Sequence, residues 1–416
     1  MSERPTKVGL ACAGGVVEGA FWEIGVLCAL EEALEGVHLT QLDNYVGISA
    51  GAIIASCLAN GIPPHVMRRA VLKQDIPALN LTPQVLFRPA LEEYGRRLLD
   101  LPGTAVRALL RYLARPQDLT VFGALMHMGS ALPVGLFDST PLERYLAHVF
   151  STFGRTNSFP ELPNRLRVLA VNINTSMLTA FGDEATAHVP ISKAVQASAA
   201  LPLVYCPVEI DGEYYIDGVA RRTLNASEAL AGGAELLFCI NPIVPVDLKR
   251  ASAEGSTMHG DIVELGLPAL LSQTFRTLVH SRMRVGFRNY DFLYPHAEVV
   301  LIEPELNDPT MFFSNIFSFS NRYHVVDHAY AATRRYLARE AERLEPLLAR
   351  HGITLREEAL NELACSLPPP PPEALRPDLT TGEVVEQARA VLERLERAIA
   401  GMEEPPVFGG GNGVRP

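Results

Sequence analysis

Tyr45-Val46-Gly47-Ile48-Ser49-Ala50-Gly51 joins two apolar segments of different character. Tyr45 and Val46 read as the end of a short buried strand. Ala52 to Ala59 reads as an apolar helix, closed by Asn60-Gly61 and stopped by Pro63-Pro64. A G-x-S-x-G turn between a strand and a helix is the setting of a nucleophile elbow. Gly47 and Gly51 allow the sharp turn and leave Ser49 at a helix N-terminus. There the free N–H groups and the helix dipole favour a developing negative charge. The bland alternative is a small-residue turn that packs a helix closely on a sheet.

The bulk numbers narrow the function classes. The 416 residues allow one large domain or two ordinary ones, and 48% hydrophobic with 20% charged residues is a soluble globular composition. A formal net charge of −11 argues against nucleic acid as a partner. The apolar run from Val8 is Gly-rich and broken by Glu18 and Glu23, so no secretory signal is read there. No uninterrupted apolar run reaches the ~20 residues of a membrane span. The six cysteines lack C-x-x-C spacing, and Cys12, Cys57 and Cys239 sit in apolar runs as small core residues. A cytoplasmic chain without metal or other cofactor is the expectation.

Outward from the elbow, strands and helices alternate. Residues 7–12 read as a buried first strand, Ala13 to Gly19 as a glycine-rich turn, and Ala20 to about Leu34 as a helix. That unit could cradle an anion, but its spacing is not G-x-G-x-x-G, which disfavours a dinucleotide. Residues 62–135, divided by Pro77, Pro83, Pro89, Pro102, Pro116 and Pro133, read as a helical insertion. Its Arg96, Arg97, Arg107, Arg111 and Arg115 alternate with leucines, either as an ordinary amphipathic surface or as a face for lipid headgroups. Residues 166–174 read as a central strand, Ile191 to Ala200 as a small-residue helix, and 206–210 with 214–216 as short strands around Asp211-Gly212. Ser227 to Ala231 is helical and Glu235 to Asn241 a buried strand. Residues 259–290 read as helix, Glu298 to Glu303 as a last strand, and Tyr323 to Arg350 as one long helix. Met311 to Phe319 holds an aromatic cluster of core type. Pro368 to Pro372 is a stiff spacer, followed by one amphipathic helix around Val384 to Ala398 and a Gly/Pro-rich end. The alternation argues for a layered α/β fold.

Three stretches belong together: Gly14-Gly15-Val16-Val17-Glu18-Gly19, Gly47 to Gly51, and Asp217-Gly218-Val219. In that order they resemble the patatin-like phospholipase family, whose pattern is G-G-G-x-R/K-G, then G-x-S-x-G, then D-G-G or D-G-A. Gly25-Val26-Leu27 and Ala197 to Pro202 fit as well, and the resemblance covers about residues 7–245. It implies a three-layer α/β/α sandwich with a mainly parallel sheet, and hydrolysis of lipid acyl esters by a Ser–Asp dyad. Ser49 would be the nucleophile and Asp217 the base. Backbone N–H groups of Gly14, Gly15 and Val16 would form the oxyanion hole, with Gly19, Gly47, Gly51 and Gly218 as motif glycines. The expected organisation is a catalytic domain over 1–350, with its helical insertion at 62–135 and a helical part at 259–350, then a tail over 366–416. The expected partner is a lipid or acyl-ester substrate, with peripheral membrane contact.

The chemistry agrees with that implication. An acyl-enzyme route needs an activated oxygen, a base within hydrogen-bond reach and preorganised donors. Tyr214-Tyr215-Ile216 leads Asp217 into apolar surroundings, where burial raises a carboxyl pKa toward usefulness. The competing role for Asp217 is a turn acid bonded to its own backbone. Val16 stands at the third glycine and Glu18 at the basic position, and a negative charge there opposes an oxyanion. These departures keep a lipid-binding module with a degraded site as an alternative. A Ser-His-Asp esterase is the other, with His259, His280, His296, His324 or His328 as base, but only one strand and one helix are read before Ser49. His324 and His328, at i and i+4, could pair on a metal, though no H-E-x-x-H or third ligand accompanies them.

Overall fold

The computed structural model describes residues 6–95, 97, 133–152, 154–258, 260–313 and 319–360. Its main sheet has eight strands: β1 (Val8–Cys12), β2 (Asn44–Ile48), β3 (Arg165–Asn172), β4 (Met177–Phe181), β5 (Val208–Ile210), β6 (Glu213–Asp217), β7 (Leu236–Ile240) and β8 (Glu298–Ile302). β1, β2 and β7 are buried at every residue, as strands of a sheet covered on both faces must be. Five strands run parallel in the order β8-β7-β1-β2-β3.

The main helices are α1 (Val16–Ala33), α2 (Ala50–Ala59), α3 (Pro64–Leu72), α4 (Thr140–Phe150), α5 (Ile191–Ser198), α6 (Ala226–Ala231), α7 (Gly266–Leu293), α8 (Arg322–Arg339) and α9 (Ala341–Ala349), with short helical segments at Pro83–Leu86, Leu248–Ala253 and Thr310–Phe313. Side chains alternate across a strand, so each strand feeds two cores. Leu10, Cys12, Tyr45, Val168, Phe238 and Ile240 pack with α1–α5, α8 and α9. Ala11, Val46, Ile48, Leu169, Leu237 and Cys239 pack with α6 and α7 on the other face. The fold is therefore the α/β/α sandwich the sequence leads one to expect.

One edge of β3 sets the position of the site. β4 pairs antiparallel along the far edge over Val168–Asn172. On the near edge β2 ends with Ile48 opposite Leu169. β6 comes from the opposite direction and ends with Asp217 opposite Ala170, the next position. Two strands thus meet head to head, and Ser49 and Asp217 stand at the junction.

Several boundaries differ from the sequence reading. β4 is an additional strand. The long C-terminal helix breaks at Glu340 into α8 and α9, whereas β8 lies where a last strand was read. In the expected insertion, α3 and a helical turn at Pro83–Leu86 are described. Arg97 bonds Glu93 at 2.8 Å, whereas Arg96, Arg107, Arg111 and Arg115 lie outside the described residues. So do His127, His259, Phe317, the proline spacer and the tail. No described helix is long and apolar enough to cross a membrane.

Candidate active site

The elbow holds Ser49 at φ 56°, the left-handed region that a non-glycine residue enters only at a cost of about 1–3 kcal/mol. The turn is tight enough to require its flanking glycines. A Cβ on Gly47 would lie 2.4 Å from Ala52 Cα, and one on Gly51 2.4 Å from the carbonyl oxygens of Cys12 and Ala13. Gly51 N–H donates to Ala13 O at 3.0 Å, which ties the start of α2 to the end of β1. Ser49 N–H donates to Ser198 Oγ at 2.8 Å, and Ser198 Oγ donates to Leu169 O at 2.6 Å. Ser198, the last residue of α5, thereby locks the strained turn to β3. In the sequence Ser198 stands out only within the Ala197 to Pro202 stretch; its bond spans 149 positions and has no local signal.

Asp217 is 1% exposed. Its N–H donates to Ala200 O at 2.9 Å, and its Oδ1 accepts Val219 N–H at 2.9 Å. The Ser49 hydroxyl is within hydrogen-bonding reach of the same carboxylate. Burial raises the Asp217 pKa from 3.8 to about 7, and the bonds from Ser49 and Val219 N–H hold it from going higher. The turn-acid role and the neighbourhood of Ser49 thus coexist: one oxygen is spent on the backbone. Gly218 lies against Leu169 and Ile48, and Val219 against Gly14.

The glycine-rich stretch is not a loop throughout. α1 begins at Val16, and Gly19 N–H already donates to Gly15 O at 2.8 Å. Nothing after Gly15 breaks a helix, so Gly19 belongs to the first turn, packed on Pro242. Gly14 lies against Ser49 Cβ, and its N–H makes a long bond of 3.4 Å to Thr223 O. The N–H groups of Gly15 and Val16 precede the first intrahelical bond and meet no acceptor among the described residues. The candidate oxyanion donors are therefore the N-terminal amides of a helix, where the dipole adds to them. Val16 sits at φ 57°, at the position where the family pattern has glycine.

Glu18 is buried and lies close enough to Arg276 of α7 to act on its charge. Arg276 is buried too. It donates to Val244 O at 3.3 Å and Met311 O at 2.9 Å, with its guanidinium 5.7 Å from the Phe312 ring centre. The acid that opposed an oxyanion in the sequence reading thus has a buried cation within electrostatic range. A partner 258 positions away (276 − 18) leaves no trace in local sequence. Glu23, also on α1, is fully buried, and burial pushes its carboxyl well above the carboxylate range.

Three downstream histidines engage carboxylates away from Ser49. His280 faces Glu303 at 3.4 Å, His328 meets Asp308 at 2.5 Å and His351 meets Glu298 at 2.8 Å. The rings of His324 and His328 stack, 6.3 Å between centres.

Among solved structures, VipD from Legionella pneumophila is similar at 15% identity and a TM-score of 0.32, over 96% of this chain and 76% of VipD. No curated protein matches the sequence. The model of the family described as patatin-like phospholipase matches residues 10–230, just over half of the 416 residues, and includes the elbow, the start of α1 and Asp217. The chain belongs to the patatin-like phospholipase family, which implies lipid acyl hydrolase activity.

Proposed function

We propose that the chain is a serine acyl hydrolase that cleaves carboxylic esters of lipids through an acyl-enzyme, with Ser49 as nucleophile and Asp217 as base. The observation that carries the reading is the buried carboxyl of Asp217, raised to about 7, beside the hydroxyl of a strained Ser49. An ordinary aspartate is too weak a base for a serine; one that titrates near neutrality is matched to the task.

The steps follow from that pair. Ser49 Oγ attacks the ester carbonyl carbon and its proton passes to Asp217. The oxyanion faces the amides of Gly15 and Val16 at the N-terminus of α1, with Gly14 N–H joining them on leaving its long bond to Thr223 O. Collapse expels the alcohol, which takes the proton from Asp217. Water then attacks acyl-Ser49, gives its proton to Asp217, and the fatty acid leaves as the Ser49 hydroxyl is restored. No histidine takes part in this route. The catalytic region is taken as residues 1–350, with 366–416 as an accessory tail.

Strain at Val16, in place of a glycine, favours a second reading: a lipid-binding protein with a weakened site. Release of free fatty acid from phosphatidylcholine and lysophosphatidylcholine separates the two. Release by the wild type and none by Ser49→Ala supports the hydrolase. Tight lipid binding without release by either supports the binding protein.

A further inference from the structure

Helix α7 is apolar on two opposite sides. Val279, Met283 and Tyr290, with Arg276, are buried on the sheet. At about 100° per residue these four lie within an arc of about 60°. Across the helix from them stand Leu267, Leu271, Leu278, Val285 and Phe292. The last four recur every seven residues and are 60%, 59%, 57% and 86% exposed. Leu270, Phe275 and Leu293, also exposed, widen the strip. It runs along nearly all 28 residues, about 40 Å. A helix packed on a sheet ordinarily carries polar residues on that side, and a contiguous apolar strip of this length marks an interaction surface.

Charge selects the partner. The C-terminal half of α7 carries Arg282, Arg284 and Arg288 against Asp291, and Arg221 and Arg222 lie across a cavity from it. This basic, apolar face belongs to a chain of net charge −11. A second copy of the chain fits it poorly. A helix–helix seam needs a second apolar line three or four residues from the first. Thr274, Ser281 and Arg288 occupy one such line, and Phe275, Arg282 and Asn289 the other. Paired copies would also set like-charged arginines on the same strip. An apolar strip flanked by arginines suits an anionic lipid surface, where the leucines enter the acyl boundary and the guanidinium groups meet phosphates.

The helix also reaches the candidate site. The cavity along its flank, about 320 Å³, is lined by Val279, Met283 and Tyr290 of α7, by Val285 and Leu293 of the outward strip, and by Val219, whose N–H holds Asp217. We infer that the outward face of α7 docks the protein on an anionic membrane surface, on the side of the molecule that carries Val219 and this cavity. The inference rests on the hydrolase reading only for the reason a membrane is visited.

Vesicle flotation of the full chain tests it. Ser49→Ala is used as the background so that lipid is not consumed. Binding is expected to phosphatidylcholine vesicles containing phosphatidylglycerol, with little to phosphatidylcholine alone. Leu271→Ser with Leu278→Ser and Phe292→Ser should lower the bound fraction about tenfold, and Arg284→Gln with Arg288→Gln should lower it severalfold on anionic vesicles only. Unchanged flotation of the apolar variant overturns the inference. So does a wild type that light scattering finds dimeric, that the same variant makes monomeric, and that binds no vesicle. With Ser49 restored, the apolar variant should hydrolyse p-nitrophenyl butyrate at the wild-type rate. A wild type that docks but hydrolyses no ester would sink the hydrolase reading and leave the docking face standing.

Discussion

Asp217→Asn should lower activity by orders of magnitude and yet stabilise the protein, by an amount that grows with pH. The folded-state pKa of about 7 lies above the ordinary 3.8. Between those values the folded chain keeps a proton that the unfolded chain has released. Stability is therefore full below the lower value and falls as pH rises toward the upper one, by about 1.4 kcal/mol per pH unit. Over the interval of roughly three units the loss reaches about 4 kcal/mol at pH 8, against about 1.5 kcal/mol at pH 5. Asparagine accepts the same bond from Val219 N–H and never ionises, so its advantage over wild type should widen by about 2.5 kcal/mol between pH 5 and pH 8. Urea melts of both proteins at the two pH values measure this, and other titrating groups cancel in the difference. The same ionisation sets the wild-type rate. About 10% of Asp217 is ionised at pH 6 and about 90% at pH 8, so kcat/KM on a soluble ester should rise about tenfold, while the variant loses about 10²–10⁴-fold in kcat. A stability gap that does not change with pH, together with a flat rate profile, would refute the reasoning.

Other substitutions probe the framework. Glu18→Arg sets two buried cations together and should cost about 3–5 kcal/mol in thermal or urea melts, with much of the loss recovered by adding Arg276→Glu; an unaffected single variant would mean the two do not interact. Glu18→Gln should keep soluble-ester turnover within a few-fold of wild type, since the Glu18 charge is buried within electrostatic range of the Arg276 guanidinium. Val16→Gly removes a β-branched residue from φ 57° and should hold or raise stability by up to about 1 kcal/mol; a clear loss would show that the Val16 side chain matters more than its strain. Gly47→Ala drives a Cβ into Ala52 and should lower stability by at least about 3 kcal/mol or prevent soluble expression.

What could be read from the sequence had short range. The elbow was legible because G-x-S-x-G between a strand and a helix is contiguous, and the Gly47 and Gly51 contacts are close backbone approaches that tolerate no side chain. The five parallel strands were legible as apolar runs, since burial keeps their polar residues toward the strand ends. Asp217 was legible only next to Ser49 and the glycine-rich stretch, because Asp-Gly by itself reads as a turn. The start of α1 was misplaced by four residues: glycines signal a loop, but Gly19 is held in the first turn by its bond to Gly15 and by Pro242. β4, whose Met177 is exposed and whose middle is half-buried, lacks the alternation that marks a strand. Ser198 and Arg276 could not be found, because each acts on a residue more than a hundred positions away. The outward strip of α7 was invisible for another reason: apolar residues on both sides of a helix blur the single stripe that periodicity detects.

The central claim is that Ser49 is a nucleophile activated by Asp217 alone. A fluorophosphonate probe tests it most directly, with the adduct located by mass spectrometry in wild type, Ser49→Ala, Asp217→Asn and the His280→Gln, His324→Gln and His328→Gln variants. The account predicts one adduct on Ser49 in the wild type, none in Ser49→Ala, strongly slowed labelling in Asp217→Asn, and near wild-type labelling in each histidine variant. Labelling that persists in Ser49→Ala, or that disappears with a histidine while the melting temperature holds, would contradict it.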